Sequence, residues 1–217
     1  MVPRVSDVGR SYDAVAERYA AEIGSELESK PIDRALLQVV ADTAGPHPVA
    51  DLGCGPGHVA AHLAALGASA FGLDLSPRMC ALAHRDRLLP AVAGDVCDLP
   101  LASSSLAAVV CLYTLIHLDT GSRARTYAEL FRVLRPGGQA LIAFHVFDDE
   151  VAIGGHRTLT QWWDHSVDLT FRFLDPDREL NAMVDAGFRF VARIDRAPYE
   201  EVEHPSHRSY LLVVRPR

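Results

Sequence analysis

Short apolar runs alternate with segments of helical periodicity through the middle of the chain. Five such runs predict strands, and they cover residues 48–52, 68–74, 90–95, 106–112 and 139–145. The last two are apolar almost throughout, which is typical of parallel strands that are covered on both faces. The segments between the runs carry the apolar spacing of amphipathic helices. This alternation predicts an α/β fold with a doubly wound, mostly parallel sheet.

Helices precede this region, and a pair of strands follows it. Residues 6–27 carry apolar positions at helical spacing, and Pro31 begins a second helix. After a helix over residues 176–187, β-rich runs at 188–195 and 209–214 predict a C-terminal antiparallel hairpin. With these two strands we expect a seven-stranded, Rossmann-like sheet that has helices on both faces.

Residues 146–174 interrupt the alternation directly after a strand, on the side where ligands bind in open α/β sheets. We interpret this insertion as a cover for a substrate pocket and place Trp162 and Trp163 on a lid helix, with one of the two facing the substrate. The N-terminal helices, residues 1–45, are expected to form another part of the lid. Because no repeat or linker marks a boundary, a single domain over residues 1–217 is predicted.

A glycine-rich loop follows the first predicted strand, with glycine at positions 53, 55 and 57. Glycine accepts positive φ angles and lets backbone approach a bound group closely. The helix that follows presents free N–H groups at its start. A dinucleotide-binding loop, G-x-G-x-x-G, would require a third glycine at position 58, which is His58. The spacing therefore disfavours a nicotinamide-dependent oxidoreductase.

Acidic residues end two of the predicted strands. Asp74 ends the second strand and Asp95 ends the third. A carboxylate at such a strand end suits vicinal hydroxyl groups, which can donate short, charge-assisted hydrogen bonds to it. For Asp95 the alternative is a cap of the local turn. Asp51 either orients the backbone of the glycine loop or contacts the ligand, and both interpretations stay open.

In their order along the chain, these blocks resemble the class I S-adenosylmethionine-dependent methyltransferases. The loop at residues 51–57 is similar to the first motif of that family. Residues 72–76 resemble the acidic strand end that binds both ribose hydroxyls, and residues 94–96 resemble the adenine-recognition block. Residues 106–118 and 134–138 are similar to the fourth strand with its loop and to the turn before the fifth strand.

The resemblance implies S-adenosylmethionine as cofactor, S-adenosylhomocysteine as product and methyl transfer to a small-molecule acceptor. Residues 11–19 resemble the N-terminal cofactor lid, although a core stripe on one helical face is the alternative for their two tyrosines. The cofactor-binding residues expected on this basis are Tyr12, Tyr19, Asp51, Gly53, Cys54, Gly55, Gly57, Asp74, Leu75, Met79, Asp95, Val96 and Leu112.

Four histidines are candidates for chemistry. His117 and His145 lie at or just past strand ends, so either could act as a catalytic general base toward an acceptor O–H or N–H. A base is not obligatory, because the sulfonium methyl is already electrophilic. His58 and His62 are four residues apart on one predicted helix, but no further ligand pattern accompanies them. We predict a solvated helix face there and no metal site.

Composition narrows the partners. A net charge of −7 disfavours nucleic acid as a partner, and four cysteines without a C-x-x-C pair suggest neither zinc nor a disulfide framework. No apolar run reaches the roughly 18 residues that a membrane span needs. We therefore expect a cytoplasmic monomer or homodimer that acts on a small molecule. The alternative is a protein that binds S-adenosylmethionine without methylating, for a rearrangement or for regulation.

Overall fold

The computed structural model describes residues 5–217 and their side chains from residue 7 onward. Residues 1–4 of the expected lid segment lie outside this part. The strands are β1 Pro48–Leu52, β2 Ser69–Asp74, β3 Ala91–Ala93, β4 Leu106–Leu112, β5 Leu134–Phe147, β6 His156–Trp162, β7 His165–Arg172, β8 Arg189–Arg196 and β9 His207–Val214. The α-helices are α1 Val5–Ile23, α2 Pro31–Ala44, α3 His58–Ala65, α4 Pro77–Arg87, α5 Thr120–Val133 and α6 Pro176–Asp185. Two short 3₁₀ turns cover Glu26–Ser29 and Leu115–His117.

Seven of the strands form one sheet in the order β3-β2-β1-β4-β5-β9-β8. The neighbours from β3 to β5 are parallel, and β9 runs antiparallel to both β5 and β8. This confirms the predicted seven-stranded, mostly parallel sheet with a C-terminal antiparallel hairpin. From β1 the chain moves outward to β3 and then returns to β4 on the other side of β1. A crevice forms at the carboxyl ends of strands where the order reverses in this way.

The two faces of the sheet are covered by different helices. In β4, Val109 belongs to the core on the side of α5 and α6, together with Leu130 and Met183. Its neighbour Val110 belongs to the core on the opposite side, where Leu63 of α3 packs. Successive side chains of a strand point to opposite faces, so a strand that is apolar throughout can serve both cores. The continuous apolar run of β4 thus explains why this strand lies in the middle of the sheet, with a core on each face.

The insertion after β5 is a hairpin of β6 and β7, so the prediction of a lid helix there was wrong. Trp162 ends β6, and Trp163 lies in the tight turn with a φ of 50°. The pattern of β7 has the period of a strand: Val167 and Leu169 are buried, while Asp168 between them is exposed. Helix α1 covers the buried face, where Val15 packs with Val167 and Leu169. Of the two tryptophans, Trp162 lines the cavity, and it does so from a strand end.

Other element boundaries differ from the predicted ones. Helix α1 ends at Ile23, before Gly24, and not at residue 27 as predicted. Glu26 and Leu27 belong instead to the 3₁₀ turn Glu26–Ser29. Strand β5 begins at Leu134, five residues before the predicted start at residue 139, because Leu134 already pairs with Leu106 of β4. An irregularity follows, and regular pairing resumes where Gln139 meets Ala108. No helix in the described residues is long and apolar enough to cross a membrane.

Candidate functional site

One cavity of about 570 Å³ lies at the carboxyl ends of β1, β2 and β4 and is covered by α1 and the β6–β7 hairpin. All but one of the residues expected from the sequence to bind or react line it: Tyr12, Tyr19, Asp51, Gly53, Cys54, Gly55, Asp74, Leu75, Met79, Asp95, Val96, Leu112, His117 and His145. Gly57 is the exception. It precedes α3 with a φ of 80°, and an added Cβ would lie 2.7 Å from the Cβ of Ala83.

The glycine loop lies against the loop that follows β4. The N–H groups of Gly53 and Cys54 donate to the carbonyl of Leu73, at 2.7 and 3.1 Å. At Gly53, where φ is 73°, an added Cβ would lie 1.9 Å from Thr114 Oγ1. Thr114 Oγ1 in turn donates to the carbonyl of Leu52 at 3.0 Å. Only glycine therefore permits the two loops to meet at this point.

Asp51 joins β1 to the first turn of α3. Its Oδ2 accepts a hydrogen bond from the backbone N–H of Ala60 at 3.1 Å. Burial raises the pKa of Asp51 to about 7, because the charged carboxylate loses its hydration. The carboxyl group lines the cavity and also holds the helix that follows the glycine loop. Both interpretations drawn from the sequence, loop orientation and ligand contact, therefore have structural support.

Asp74 connects the glycine loop to the start of α4. Its Oδ2 accepts from the N–H of Gly55 and its Oδ1 from the N–H of Ser76, each at 2.8 Å. Burial raises the pKa of Asp74 despite these bonds. Since a carboxylate offers about four lone-pair sites, both oxygens retain acceptor capacity toward the cavity.

The cavity continues past β3 to a mostly apolar region. Val96 and Met79 are buried there, and Leu75 also lines the wall. Asp95 Oδ1 accepts from the N–H of Cys97 at 2.8 Å, so this carboxylate caps a turn as well as lining the cavity. Cys54 is buried against β2 and fills the space that a side chain at residue 72 would need.

Two tyrosines of α1 form an aromatic cover with the hairpin. The ring centroids of Tyr12 and Tyr19 lie 5.7 Å apart, and those of Tyr12 and Trp162 lie 6.1 Å apart. Tyr12 also contacts the turn after β4, because its hydroxyl lies 2.9 Å from His117 Nε2. The same face of α1 therefore packs on the hairpin and lines the cavity, as both interpretations of these tyrosines required.

His117 has a contact at each ring nitrogen. Its Nδ1 lies 3.1 Å from the carbonyl oxygen of Thr170. A carbonyl can only accept, so Nδ1 donates, and Nε2 accepts from the hydroxyl of Tyr12. Burial lowers the pKa of His117 to about 4, which keeps the ring neutral at pH 7. His117 thereby joins α1, the turn after β4 and strand β7.

His145 has one engaged nitrogen and one without a partner. Its Nδ1 lies 2.7 Å from Ser206 Oγ, and its ring stacks on Tyr113 with centroids 5.1 Å apart. No residue of the described chain hydrogen-bonds to Nε2. Burial, followed by the positive charges of Arg208, His204 and Lys30, holds the pKa of His145 well below its ordinary value. The ring is therefore a neutral imidazole at the cavity wall.

Several cavity residues were not among those expected from the sequence, and all of them except Tyr113 lie outside the recognised motifs. They are Glu26, Lys30, Tyr113, Glu203, His204 and Arg208. Lys30, the single lysine of the chain, precedes α2, and the last three come from the loop after β8 and the start of β9. The unusual lysine was the one available signal, and its ion-pair partner Glu203 is more than 170 residues away in the chain.

The predicted solvated helix face at His58 was wrong. The side chain of His58 is only 10% exposed, lines the cavity and lies 3.2 Å from Glu26 Oε1. The start of α3 faces the cavity, so its first residue is enclosed by the segment after α1. His62, one turn later, is half-buried. Within residues 7–217 no group of His, Cys, Asp and Glu side chains could hold a metal ion.

Comparison with known families identifies a methyltransferase region. Residues 49–138 match the family model described as a methyltransferase domain. Over 141 residues the chain is 34% identical to a demethylmenaquinone methyltransferase of Beutenbergia cavernae. The matched stretch covers 63% of this chain and 57% of that protein. The matches to the curated relatives thus cover less than two thirds of their length.

Solved structures share the fold over nearly the whole chain. The CcbJ methyltransferase from Streptomyces caelestis superposes with a TM-score of 0.74 at 20% identity, covering 99% of this chain and 100% of that one. The [4+2]-cyclase SpnF gives a TM-score of 0.73 at 18% identity, with 99% and 98% covered. At such low identities the two likenesses show the architecture and leave the chemistry to be argued from the site.

Replacing Tyr12 by Phe should weaken the contact of α1 with the rest of the site. The change removes the hydrogen bond to His117 and leaves a buried nitrogen unpaired, so we expect a loss of about 1 kcal/mol in the free energy of unfolding. Amide hydrogen exchange along α1 should become faster. Tyr19→Phe is the matched control, because the Tyr19 hydroxyl has no hydrogen-bond partner in the described residues. Equal effects of the two changes would contradict the assigned contact.

Proposed function

Since the chain belongs to the class I S-adenosylmethionine-dependent methyltransferases, we propose that it transfers the cofactor's methyl group to a small-molecule acceptor. The observation that carries this proposal is a single cavity that is partly open to solvent. It contains the glycine loop and the strand-end carboxylates of the family motifs, and also a neutral histidine with a free nitrogen. Cofactor and acceptor can therefore occupy one space.

The residues present fit S-adenosylmethionine. Asp74 offers acceptor capacity for the two ribose hydroxyls, and Asp95 offers it for an exocyclic amine. Val96 and Met79 supply apolar surface for a purine ring. An added Cβ at Gly55 would meet only a ring carbon of Tyr19, at 3.7 Å, which shows how open the loop is to a ligand. When bound, the cofactor supplies an electrophilic methyl group on a sulfonium.

The remaining motif residues support this placement less directly. Gly53 and Cys54 bring the backbone of the glycine loop to the cavity, and Leu75 and Leu112 line it beside the ends of β2 and β4. Gly57 holds the start of α3 close to α4, which we propose as its contribution to the same site.

We assign the lid to α1 and the β6–β7 hairpin. The segments expected from the sequence, residues 1–45 and 146–174, contain these elements. Tyr12, Tyr19 and Trp162 bring aromatic rings from both of them over the cavity. Closing such a cover removes water, strengthens charge interactions inside and holds an acceptor in line with the methyl group.

His145 is the better placed of the two candidate bases. When Nδ1 donates to Ser206 Oγ, Nε2 carries the lone pair that a proton acceptor needs. In His117 the corresponding lone pair is already used by Tyr12. We therefore assign to His145 the removal of a proton from an acceptor O–H or N–H, and to His117 the positioning of α1.

The surroundings of the site support a small molecule as partner. The net charge of −7 disfavours nucleic acid, and the lid elements cover part of the cavity. The four cysteines are free thiols, which suits the reducing cytoplasm. We propose a monomer or homodimer, and the cavity is complete within one chain.

Replacing Asp74 by Ala should weaken binding of S-adenosylhomocysteine at least tenfold. Charge-assisted hydrogen bonds contribute about 1.5–3 kcal/mol each, and the change also frees the N–H groups of Gly55 and Ser76. Calorimetric titration measures the affinity, and thermal unfolding without ligand reports the cost to the fold. Asp86→Ala, on the exposed side of α4, is the control. Unchanged affinity in Asp74→Ala would refute the assigned cofactor site.

Transfer of label from methyl-labelled S-adenosylmethionine to a panel of phenols, hydroxy acids and amines tests the activity itself. Binding without transfer to any of them would favour the alternative of a non-methylating protein. With the best hydroxyl acceptor, His145→Gln should lower kcat by about 10² or more, and His117→Gln by less.

The pH dependence of the same rate separates the two histidines further. The low pKa of His145 leaves the base deprotonated through the neutral range. The acid limb that depends on His145 should therefore lie well below the ordinary histidine pKa of about 6.5, apart from any change near pH 7 that comes from Asp51. This acid limb should disappear in His145→Gln and remain in His117→Gln. The opposite pattern would make His117 the base.

A further inference from the structure

One wall of the cavity carries two buried cations. This cationic wall consists of Lys30, Tyr113, His145 and Arg208. Lys30 and Arg208 are 3% and 2% exposed. Lys30 Nζ lies 5.6 Å and Arg208 Cζ lies 5.8 Å from the centre of the Tyr113 ring, on which His145 also stacks. Two positive charges and the proposed base therefore surround one aromatic ring.

The backbone holds Tyr113 in this place at a cost. Its φ is 59°, in the left-handed region, which non-glycine residues rarely adopt. The N–H of Tyr113 donates to the carbonyl of Ala143 at 2.8 Å, and its hydroxyl lies 3.1 Å from that of Tyr210. Backbone strain of this kind persists where the surrounding structure fixes it, and it is concentrated at functional sites.

Two carboxylates contact the cations of the wall, and both are already engaged. Glu203 lies 3.2 Å from both Lys30 Nζ and Arg208 Nη1, and it also pairs with Arg196. Glu26 lies 2.6 Å from Lys30 Nζ. Although burial raises it, the hydrogen bonds and charges of His58 and Lys30 lower the pKa of Glu26 to about 2. Neither carboxylate is therefore free to bind a cationic acceptor.

One hydrogen-bond donor of the cationic wall has no partner, in contrast to the paired carboxylates Glu26 and Glu203. Arg208 Nη2 donates to the carbonyl of His204 at 3.0 Å, and Nη1 is held by Ser206 and Glu203. Arg208 Nε is buried and has no hydrogen-bond partner in the described residues. A buried donor without a partner costs about 1–3 kcal/mol, which an acceptor atom supplied by a ligand or a water would recover.

The charges act together at His145. The positive groups around it, Arg208, His204 and Lys30, lower its pKa beyond the effect of burial. The same potential that disfavours a proton on the ring favours an anion beside it.

We propose that the acceptor carries an anionic oxygen group, a carboxylate or an ionised phenol, which Arg208 and Lys30 bind next to His145. This assignment rests on the proposed methyl transfer and adds the chemical class of the substrate. At this wall an amine acceptor would meet two cations, and the two carboxylates that contact them, Glu26 and Glu203, are already paired. The aromatic rings of Tyr113 and Phe171 on the cavity wall offer flat surface for a conjugated acid or phenol.

Four probes of similar size test the charge preference. They are 4-hydroxybenzoate, 4-nitrophenolate, 4-hydroxybenzyl alcohol and 4-hydroxybenzylamine, added to protein saturated with S-adenosylhomocysteine at mildly alkaline pH. The two anions should bind about tenfold tighter than the alcohol, and the amine should bind weakest. Comparison of the benzoate with the phenolate distinguishes the two sources of anionic oxygen.

Lys30 is the chain's single lysine and therefore a direct reporter. Protein labelled with ¹³C-lysine gives one side-chain Cε resonance, from Lys30. The anionic probes should shift that resonance, and the neutral alcohol should leave it in place. This measurement needs no substitution in the buried ion-pair network.

Arg208→Gln should abolish the tenfold preference for the anions while S-adenosylhomocysteine still binds. Arg189→Gln is the matched control, since Arg189 is exposed and pairs with Val214 at the other end of β9 from Arg208. If Arg208→Gln does not fold, the wild-type probe series and the Lys30 resonance decide alone.

The assignment is overturned if the anionic probes do not bind, or if the alcohol or the amine binds as tightly as the anions do. An unmoved Lys30 resonance, or an anion preference that survives in folded Arg208→Gln, does so as well. Normal binding of S-adenosylhomocysteine in those cases leaves the proposed methyl transfer standing. Failure of the wild type to bind S-adenosylhomocysteine refutes that function as well.

Discussion

The close approach of Gly53 to Thr114 joins the two loops on which the site depends. Parallel strands β1 and β4 are neighbours at the point where the strand order reverses, so the loops after them leave the sheet side by side. The loop after β1 leads to the carboxylate of Asp74, and the loop after β4 places Tyr113 and His117. A side chain at residue 53 would separate the two loops and, with them, the two ends of the cavity.

Charge differs between those ends. Asp51, Asp74 and Asp95 line the part of the cavity next to the glycine loop, where we place a cofactor that carries a sulfonium cation. Lys30 and Arg208 line the part where we place an anionic acceptor. Methyl transfer removes the positive charge of the sulfonium, and this loss is favoured where the cover limits the access of water to the site. The lid holds the cofactor and the acceptor in the cavity, and the buried ion pairs hold Lys30 and Arg208 at the acceptor end.

The sequence was sufficient for features that depend on local pattern. The sheet, the glycine loop and the strand-end carboxylates follow from apolar runs and from residue types at fixed spacing, and Asp74 and Asp95 both line the cavity. The hairpin was missed because a stretch with paired tryptophans and scattered charge hides its period of two. Lys30 and Arg208 were missed because they meet only through the tertiary fold, from opposite ends of the chain. Their pairing through Glu203 has no local signature.

The central claim is that one cavity holds the cofactor at the Asp74 end and leaves the Lys30 and Arg208 end for the acceptor. A crystal structure of the protein with S-adenosylhomocysteine tests it most directly. We predict the ribose hydroxyls within hydrogen-bond distance of Asp74, the adenine beside Val96, and open space between the sulfur and His145. A nucleoside bound against Lys30 and Arg208, or outside the cavity, would contradict the account.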